Sequence, residues 1–287
     1  MHSGTRSECR SLSNAMTIDV EDYFHVSAFE KHIDRGDWDK LECRVERNVE
    51  TILGLLERHG VKGTFFTLGW VAERYPEMVR KISDAGHEIG CHSYWHKRAS
   101  SQDRNEFSRE VKDVKRMLED ITGRLVIGYR APSYSIGSDN LWAHELLETA
   151  GFDYSSSIYP ISHDHYGMPD APRFPYHPLP GSKFLEIPIT TSLLFGRKMP
   201  AGGGGYFRLF PYAFSRALLR KVNREGESGM FYFHPWELDP GQPRQNNISL
   251  KTRFRHYLNL SRTERRLERL LTDFQWDRMD RVFLPAG

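Results

Sequence analysis

The sequence predicts an α/β fold, a distorted (β/α)7-type barrel with a long loop-rich insertion. Three observations predict it. Short apolar runs recur between longer helical patterns, glycines follow several of those patterns, and polar clusters come directly after the apolar runs. The runs at 16–20, 63–67, 88–91, 126–129, 184–187, 230–233 and 282–284 read as strands buried on both faces of a parallel sheet. Helices are expected at 42–58, 76–85, 102–121, 140–150, 211–223 and 263–274. Gly60, Gly86 and Gly151 stand where the first, second and fourth would be capped.

Seven strands and six helices fall short of eight βα units, so a closed barrel of fewer units is expected. Residues just past each strand then carry the chemistry. Residues 1–15 read as a disordered polar tail, 16–287 as a single domain, and the part from about 240 as a helical extension. Between 155 and 210 the pattern dissolves into a Pro-, Gly- and His-rich insertion, expected to form a binding surface.

At 287 residues and 39% apolar composition the chain can bury one full-sized core. Forty basic and 38 acidic residues leave a net charge of +2, without the positive field of a nucleic-acid binder. Three widely spaced cysteines suggest neither a disulfide framework nor a thiolate metal site, and fit a reducing compartment. No run reaches the ~18–20 apolar residues of a membrane span or forms a signal peptide, which points to a cytoplasmic protein.

The densest chemical signal is HSYWH at 92–96, directly after the 88–91 strand. If it forms a helical turn, His92 and His96 face one way and share a metal; the plain alternative is a polar surface turn. The second signal is TIDVEDY at 17–23, a strand running into three carboxylates that are costly to bury without a cation or proton chemistry. Asp19 and Glu21 share a face if the strand continues; Asp22 joins them only if the chain turns. One carboxylate and two imidazoles form an open three-ligand site for zinc or a related divalent ion. GYRAPS at 128–133 and FYFHPW at 231–236 bring Arg130 and His234 to two further strand ends. Each also has a purely structural reading, as an ion pair or a core histidine.

In their order, the acidic motif, HSYWH, RAPS and FHPW resemble the polysaccharide deacetylases with a NodB-type domain, carbohydrate esterase family 4, over residues 16–236. DVEDYFHVSAFE, GHEIGCHSYWH, HDHYGMPDAPRFP and GGGYFR look like a subgroup found with exopolysaccharide and exosortase loci. The resemblance implies Asp19 as general base, His92 and His96 as metal ligands, His234 as general acid, Arg130 as the residue orienting the base, and the Ser133 N–H as an oxyanion donor. The family's adjacent Asp pair is here Asp19-Val20-Glu21-Asp22, so Glu21 or Asp22 is the metal carboxylate, and the shared face favours Glu21. Ser155 stands where the family places the acid's Asp partner, which leaves the partner of His234 open.

The expected reaction is metal-dependent hydrolysis of an N-acetyl group on an amino sugar of a polysaccharide or oligosaccharide. One divalent ion is implied, zinc first, with cobalt or nickel as substitutes, and the polysaccharide synthesis machinery is the expected partner. Trp95, Tyr134, Tyr206 and Trp236 are candidate sugar-stacking residues, and His163, His165 and Arg173 candidate contacts in the insertion. The four glycines at 202–205 lack a following Lys-Ser/Thr and read as a flexible lip rather than a phosphate loop. Two rival functions remain: an allantoinase-like hydrolase of a small amide, which needs an enclosed pocket, and a catalytically silent glycan-binding module.

Overall fold

The computed structural model describes residues 12–163 and 167–284. Its strands are β1 (Ser13–Val20), β2 (Thr64–Thr67), β3 (Glu88–Cys91), β4 (Gly128–Tyr129), β5 (Tyr154–Ser155), β6 (Leu185–Glu186), β7 (Thr191–Leu194), β8 (Arg197–Pro200), β9 (Met230–Phe233) and β10 (Gln275–Asp277). The helices are α1 (Val45–Arg58), α2 (Gly69–Arg74), α3 (Pro76–Asp84), α4 (Arg104–Thr122), α5 (Trp142–Thr149), α6 (Gly204–Leu209), α7 (Tyr212–Arg224), α8 (Leu250–Tyr257), α9 (Leu260–Asp273) and α10 (Met279–Phe283).

Strands β1 to β6 pair in sequence order, all parallel, and β1 also pairs with β9 and, through its first three residues, with β10. The sheet therefore curls into an open half-barrel around β1, whose residues 14–20 are all buried. Where β6 and β9 do not pair, residues 189–203 cross the gap. The Met230 N–H donates to Thr190 Oγ1 at 2.6 Å, and the Tyr232 N–H donates to the Gly202 carbonyl at 2.7 Å. The layer outside is held by amphipathic helices. In α4, Phe107, Val111, Val114 and Leu118 recur at helical spacing and are buried, Asp103 caps the first turn, and Gly123 closes the last at φ 65°.

Several expectations need correcting. The barrel is open rather than closed. Residues 13–15, assigned to the tail, form the start of β1, because β9 and β10 give their backbone groups partners. Residues 282–284 do not form a strand; the last strand is β10, and 282 and 283 lie in α10. The insertion is more ordered than its composition suggests, since β5, β6 and the β7–β8 hairpin lie within it. The glycines at 202–205 are not a flexible lip: a Cβ on Gly203 would lie 2.2 Å from the Tyr232 carbonyl and one on Gly204 2.4 Å from the Tyr232 hydroxyl. No helix among the described residues is long and apolar enough to cross a membrane.

Candidate active site

The carboxyl ends of β1, β3, β4 and β9 meet in one place. The β1 strand ends at Val20, and the Glu21 N–H folds back onto the Asp19 carbonyl at 3.0 Å, so both side chains point into the same centre. His92 follows β3 directly, but residues 92–96 are not a helical turn as the spacing suggested. Ser93 and His96 take left-handed backbone angles, φ 66° and 50°. The carbonyls of Ser93 and Tyr94 accept the first N–H groups of α2, at 2.8 and 3.3 Å. That strained loop, rather than helical periodicity, turns both imidazoles inward.

Glu21, His92 and His96 are buried and offer ligand atoms that all lie within 4.8 Å of one another. Their chemistry fits a divalent cation. Glu21 Oε2 is buried without a hydrogen-bond donor, although His96 Nε2 lies 2.8 Å away, so the two groups face each other as paired acceptors do around an ion. His92 Nδ1 donates to the Arg130 carbonyl at 2.8 Å, which leaves Nε2 free to ligate. Burial lowers the His92 pKa to about 4, keeping it neutral. Without an ion, burial opposes ionisation of Glu21, but a protonated His96 beside it, and then His234, outweigh this and hold the carboxyl well below its ordinary range.

Asp19 lies beside this set. The wholly buried Arg130 donates from Nη1 to Asp19 Oδ1 at 2.5 Å and to Thr17 Oγ1 at 2.8 Å. Its guanidinium also rests 4.0 Å over the Phe66 ring. Arg130 thus fixes the orientation of Asp19. His234 Nε2 stands 3.9 Å from Asp19 Oδ2 and 3.6 Å from Glu21 Oε1. Its Nδ1 is held at 3.0 Å by Glu237 Oε2, which also accepts from the His234 backbone N–H. Burial lowers the His234 pKa, but Glu237 and then Glu21 outweigh this and raise it to about 9. Glu237 is in turn held by Arg208 Nε at 2.6 Å; burial notwithstanding, Arg208 and His234 bring its pKa down to about 2.

Glu237 and Arg208 are the functional residues that sequence reasoning missed. The signal was present in HPWE, where the acid stands three residues after His234, one short helical turn away. Ser155 does not substitute for it; its hydroxyl bonds to Ser157 Oγ at 2.7 Å.

Other predicted residues fall elsewhere. Asp22 is not among the clustered ligands: its carboxylate accepts from the backbone N–H groups of Tyr23 and Arg44 and from the Cys43 thiol, anchoring the chain that enters α1. Trp236 lines the groove but is buried. His234 and His256 stack near it at 5.1 and 4.3 Å, and its Nε1 donates to Glu21 Oε1 at 3.2 Å, so it positions the carboxylate. Trp95 is outside the groove and packs on Trp38. Tyr134 is buried, with its hydroxyl 3.5 Å from Asp19 Oδ2. Ser133 sits in a left-handed turn at φ 55° and pairs through Oγ with Ser27 Oγ at 2.6 Å. Ser133, Tyr134, Tyr206 and His163 line the groove over the centre, whereas Arg173 is tied to Glu225 and the Thr191 carbonyl. His165 lies outside the described residues. The groove holds about 840 Å³, and exposed residues of its rim include Lys31, His32 and Phe254.

Residues 33–154 match the polysaccharide deacetylase family, and residues 156–284 match a domain of unknown function, DUF3473. The chain is 35% identical over 95 residues to a peptidoglycan-N-acetylglucosamine deacetylase of Bacillus cereus, covering 33% of this chain and 34% of that protein. It is 28% identical over 111 residues to a peptidoglycan-N-acetylmuramic acid deacetylase of Bacillus subtilis, covering 39% and 41%. The matched segment thus spans about a third of the first of these relatives. Among solved structures, a Mycobacterium smegmatis protein described as a polysaccharide deacetylase superposes with a TM-score of 0.62 at 21% identity, over 95% of this chain and 88% of that one. The Puue allantoinase superposes at 0.58 and 17% identity, over 96% and 92%. The half-barrel is the fold of both.

Proposed function

We propose that this protein is a metal-dependent N-deacetylase that hydrolyses the acetamide of an amino sugar within a polysaccharide. The observation that carries the reading is the placement of Asp19, tied to Arg130, and His234, tied to Glu237, beside the Glu21, His92 and His96 cluster. Those three residues would hold the ion, with zinc suited to their nitrogen and oxygen donors and cobalt or nickel as substitutes. A bound divalent ion supplies Lewis acidity to the carbonyl and lowers the pKa of water.

The chain's own groups do the rest. Asp19, one oxygen tied to Arg130 and the other facing His234, takes the proton of the attacking water. The Ser133 N–H assists the developing oxyanion. His234, with Nδ1 locked by Glu237, passes its Nε2 proton to the leaving amine, so acetate and a free amino sugar result. The open groove with its exposed rim supports a polymer over a small amide. On the subgroup motifs, we assign the polymer to an exopolysaccharide and the working partner to its synthesis machinery.

The test is acetate release from N-acetylglucosamine oligomers by zinc- or cobalt-loaded protein, against chelated protein, Asp19→Asn and His92→Ala. Metal-dependent release that both substitutions abolish is expected. Full metal occupancy with no release from these oligomers or from N-acetylated exopolysaccharides would overturn the proposal.

A further inference from the structure

The groove is charged out of proportion to the molecule. The whole chain carries a net +2, yet the groove is lined by Lys31, His32 and Arg98, facing three carboxylates that are already engaged. Asp19 is paired with Arg130, Glu21 faces His96, and Glu30 is paired with Arg35 at 3.3 Å. Arg208 is taken by Glu237.

Arg98 is different from these. Its Nε is buried without an acceptor, and its guanidinium makes no ion pair among the described residues. Its Nη groups are not closed off in this way and have no acceptor among the described residues, so the free end of a guanidinium held in place by its buried Nε is open to the groove. The backbone around Arg98 is firmly placed, since the next N–H, that of Ala99, donates to Ser135 Oγ at 2.9 Å, and Ser135 Oγ donates to the Pro132 carbonyl at 2.7 Å. Arg98 therefore stands between the metal loop that ends at His96 and the turn that carries Ser133. A sugar next to the one being deacetylated would pass there.

We propose that the groove is built for an anionic glycan, with Arg98 binding a carboxylate on the sugar beside the N-acetylated residue. The inference rests on the deacetylase reading above and narrows its substrate class. The two Nη groups of a planar guanidinium match a carboxylate in two parallel hydrogen bonds, which an ammonium cannot do. Lys31 and, when protonated, His32 add a field that draws a polyanion in, and exposed charges of this kind are screened by salt.

The experiment uses the metal-loaded full chain and two matched polymers: alternating N-acetylglucosamine and glucuronate, and the same polymer with its carboxylates reduced to alcohols. At low salt the acidic polymer is expected to show about a tenfold higher kcat/KM for acetate release, as one charged bidentate contact would give. That preference shrinks as salt rises, and Arg98→Gln lowers the acidic-to-neutral ratio about tenfold, with Arg98→Lys intermediate. Equal kcat/KM on both polymers, or an Arg98→Gln variant that lowers both alike, overturns the inference and leaves the deacetylase standing. If neither polymer releases acetate, direct binding of the two polymers decides. A preference for the acidic one that Arg98→Gln removes upholds the anionic groove while the deacetylase reading falls; no preference removes both.

Discussion

Glu237 works on His234 through a bond to Nδ1, and its own charge is balanced by Arg208. Replacing it with Gln keeps the shape but leaves Arg208 buried beside a neutral group and His234 less firmly oriented. Glu237→Gln is therefore expected to lower kcat for acetate release at least about tenfold with little change in KM, and to lower the thermal midpoint as well. Asp22 makes the opposite case. Its carboxylate satisfies N–H groups at the entrance to α1, so Asp22→Ala should cost about 1–2 kcal/mol of stability in urea titration and leave bound metal unchanged. Glu21→Ala should abolish metal retention instead. Asp19, His92, His96, Arg130 and His234 were legible in the sequence because each follows an apolar run at a strand end. Glu237 was not, because the motif comparison directed attention to position 155, and a contact across one short helical turn leaves no periodic trace. Asp22 was ambiguous for a different reason: two neighbouring acids differ only in the path of the backbone between them.

At the level of elements the two-residue strand β5 was concealed, whereas β4 and β6, equally short, fell within the apolar runs at 126–129 and 184–187. Tyr154–Ser155 has no alternation or run to detect, and it forms because the Leu185 and Ile187 N–H groups donate to the carbonyls of Asp153 and Ser155. Long amphipathic helices such as α1 and α4 were legible because a repeated apolar stripe survives whatever the tertiary context. The β7–β8 hairpin was hidden by its turn. Phe195 and Gly196 both adopt positive φ, 49° and 75°, where Asn-Gly or Asp-Gly is the usual signal. Phe195 is also 96% exposed, so its ring recovers little of the backbone cost. Phe195→Asn should therefore raise stability by about 0.5–1 kcal/mol, read as a higher urea midpoint with an unchanged slope. A lower midpoint would mean that the ring makes contacts that compensate for the turn.

Across the whole molecule, β1 takes partners from both ends of the chain, and the two matched segments, 33–154 and 156–284, meet within one sheet. Asp19 precedes the first segment, Arg130 lies in it and His234 in the second, so the centre exists only when both have folded together. At the opposite end of the strands this closure depends on Glu88, the first residue of β3. Its Oε1 accepts from the Tyr154 hydroxyl at 2.9 Å, and its Oε2 from the Thr64 hydroxyl at 2.5 Å and from the Asp280 N–H at 3.3 Å, which ties α10 to three strands. Burial, and then the Asp280 carboxylate, push the Glu88 pKa up to about 7 from an ordinary value of 4.5. A carboxyl raised in this way favours the folded state fully while it is protonated in both states. Above 4.5 the unfolded chain releases its proton first, so the advantage drains away as pH rises and is gone once the folded protein also ionises, near 7. Urea midpoints measured from pH 5 to pH 8 should therefore fall more steeply for the wild type than for Glu88→Gln, which has no proton to lose at that position. Parallel slopes for the two proteins would show that Glu88 is ionised throughout, and that Thr64 and Tyr154 hold a carboxylate rather than a neutral acid beneath the barrel.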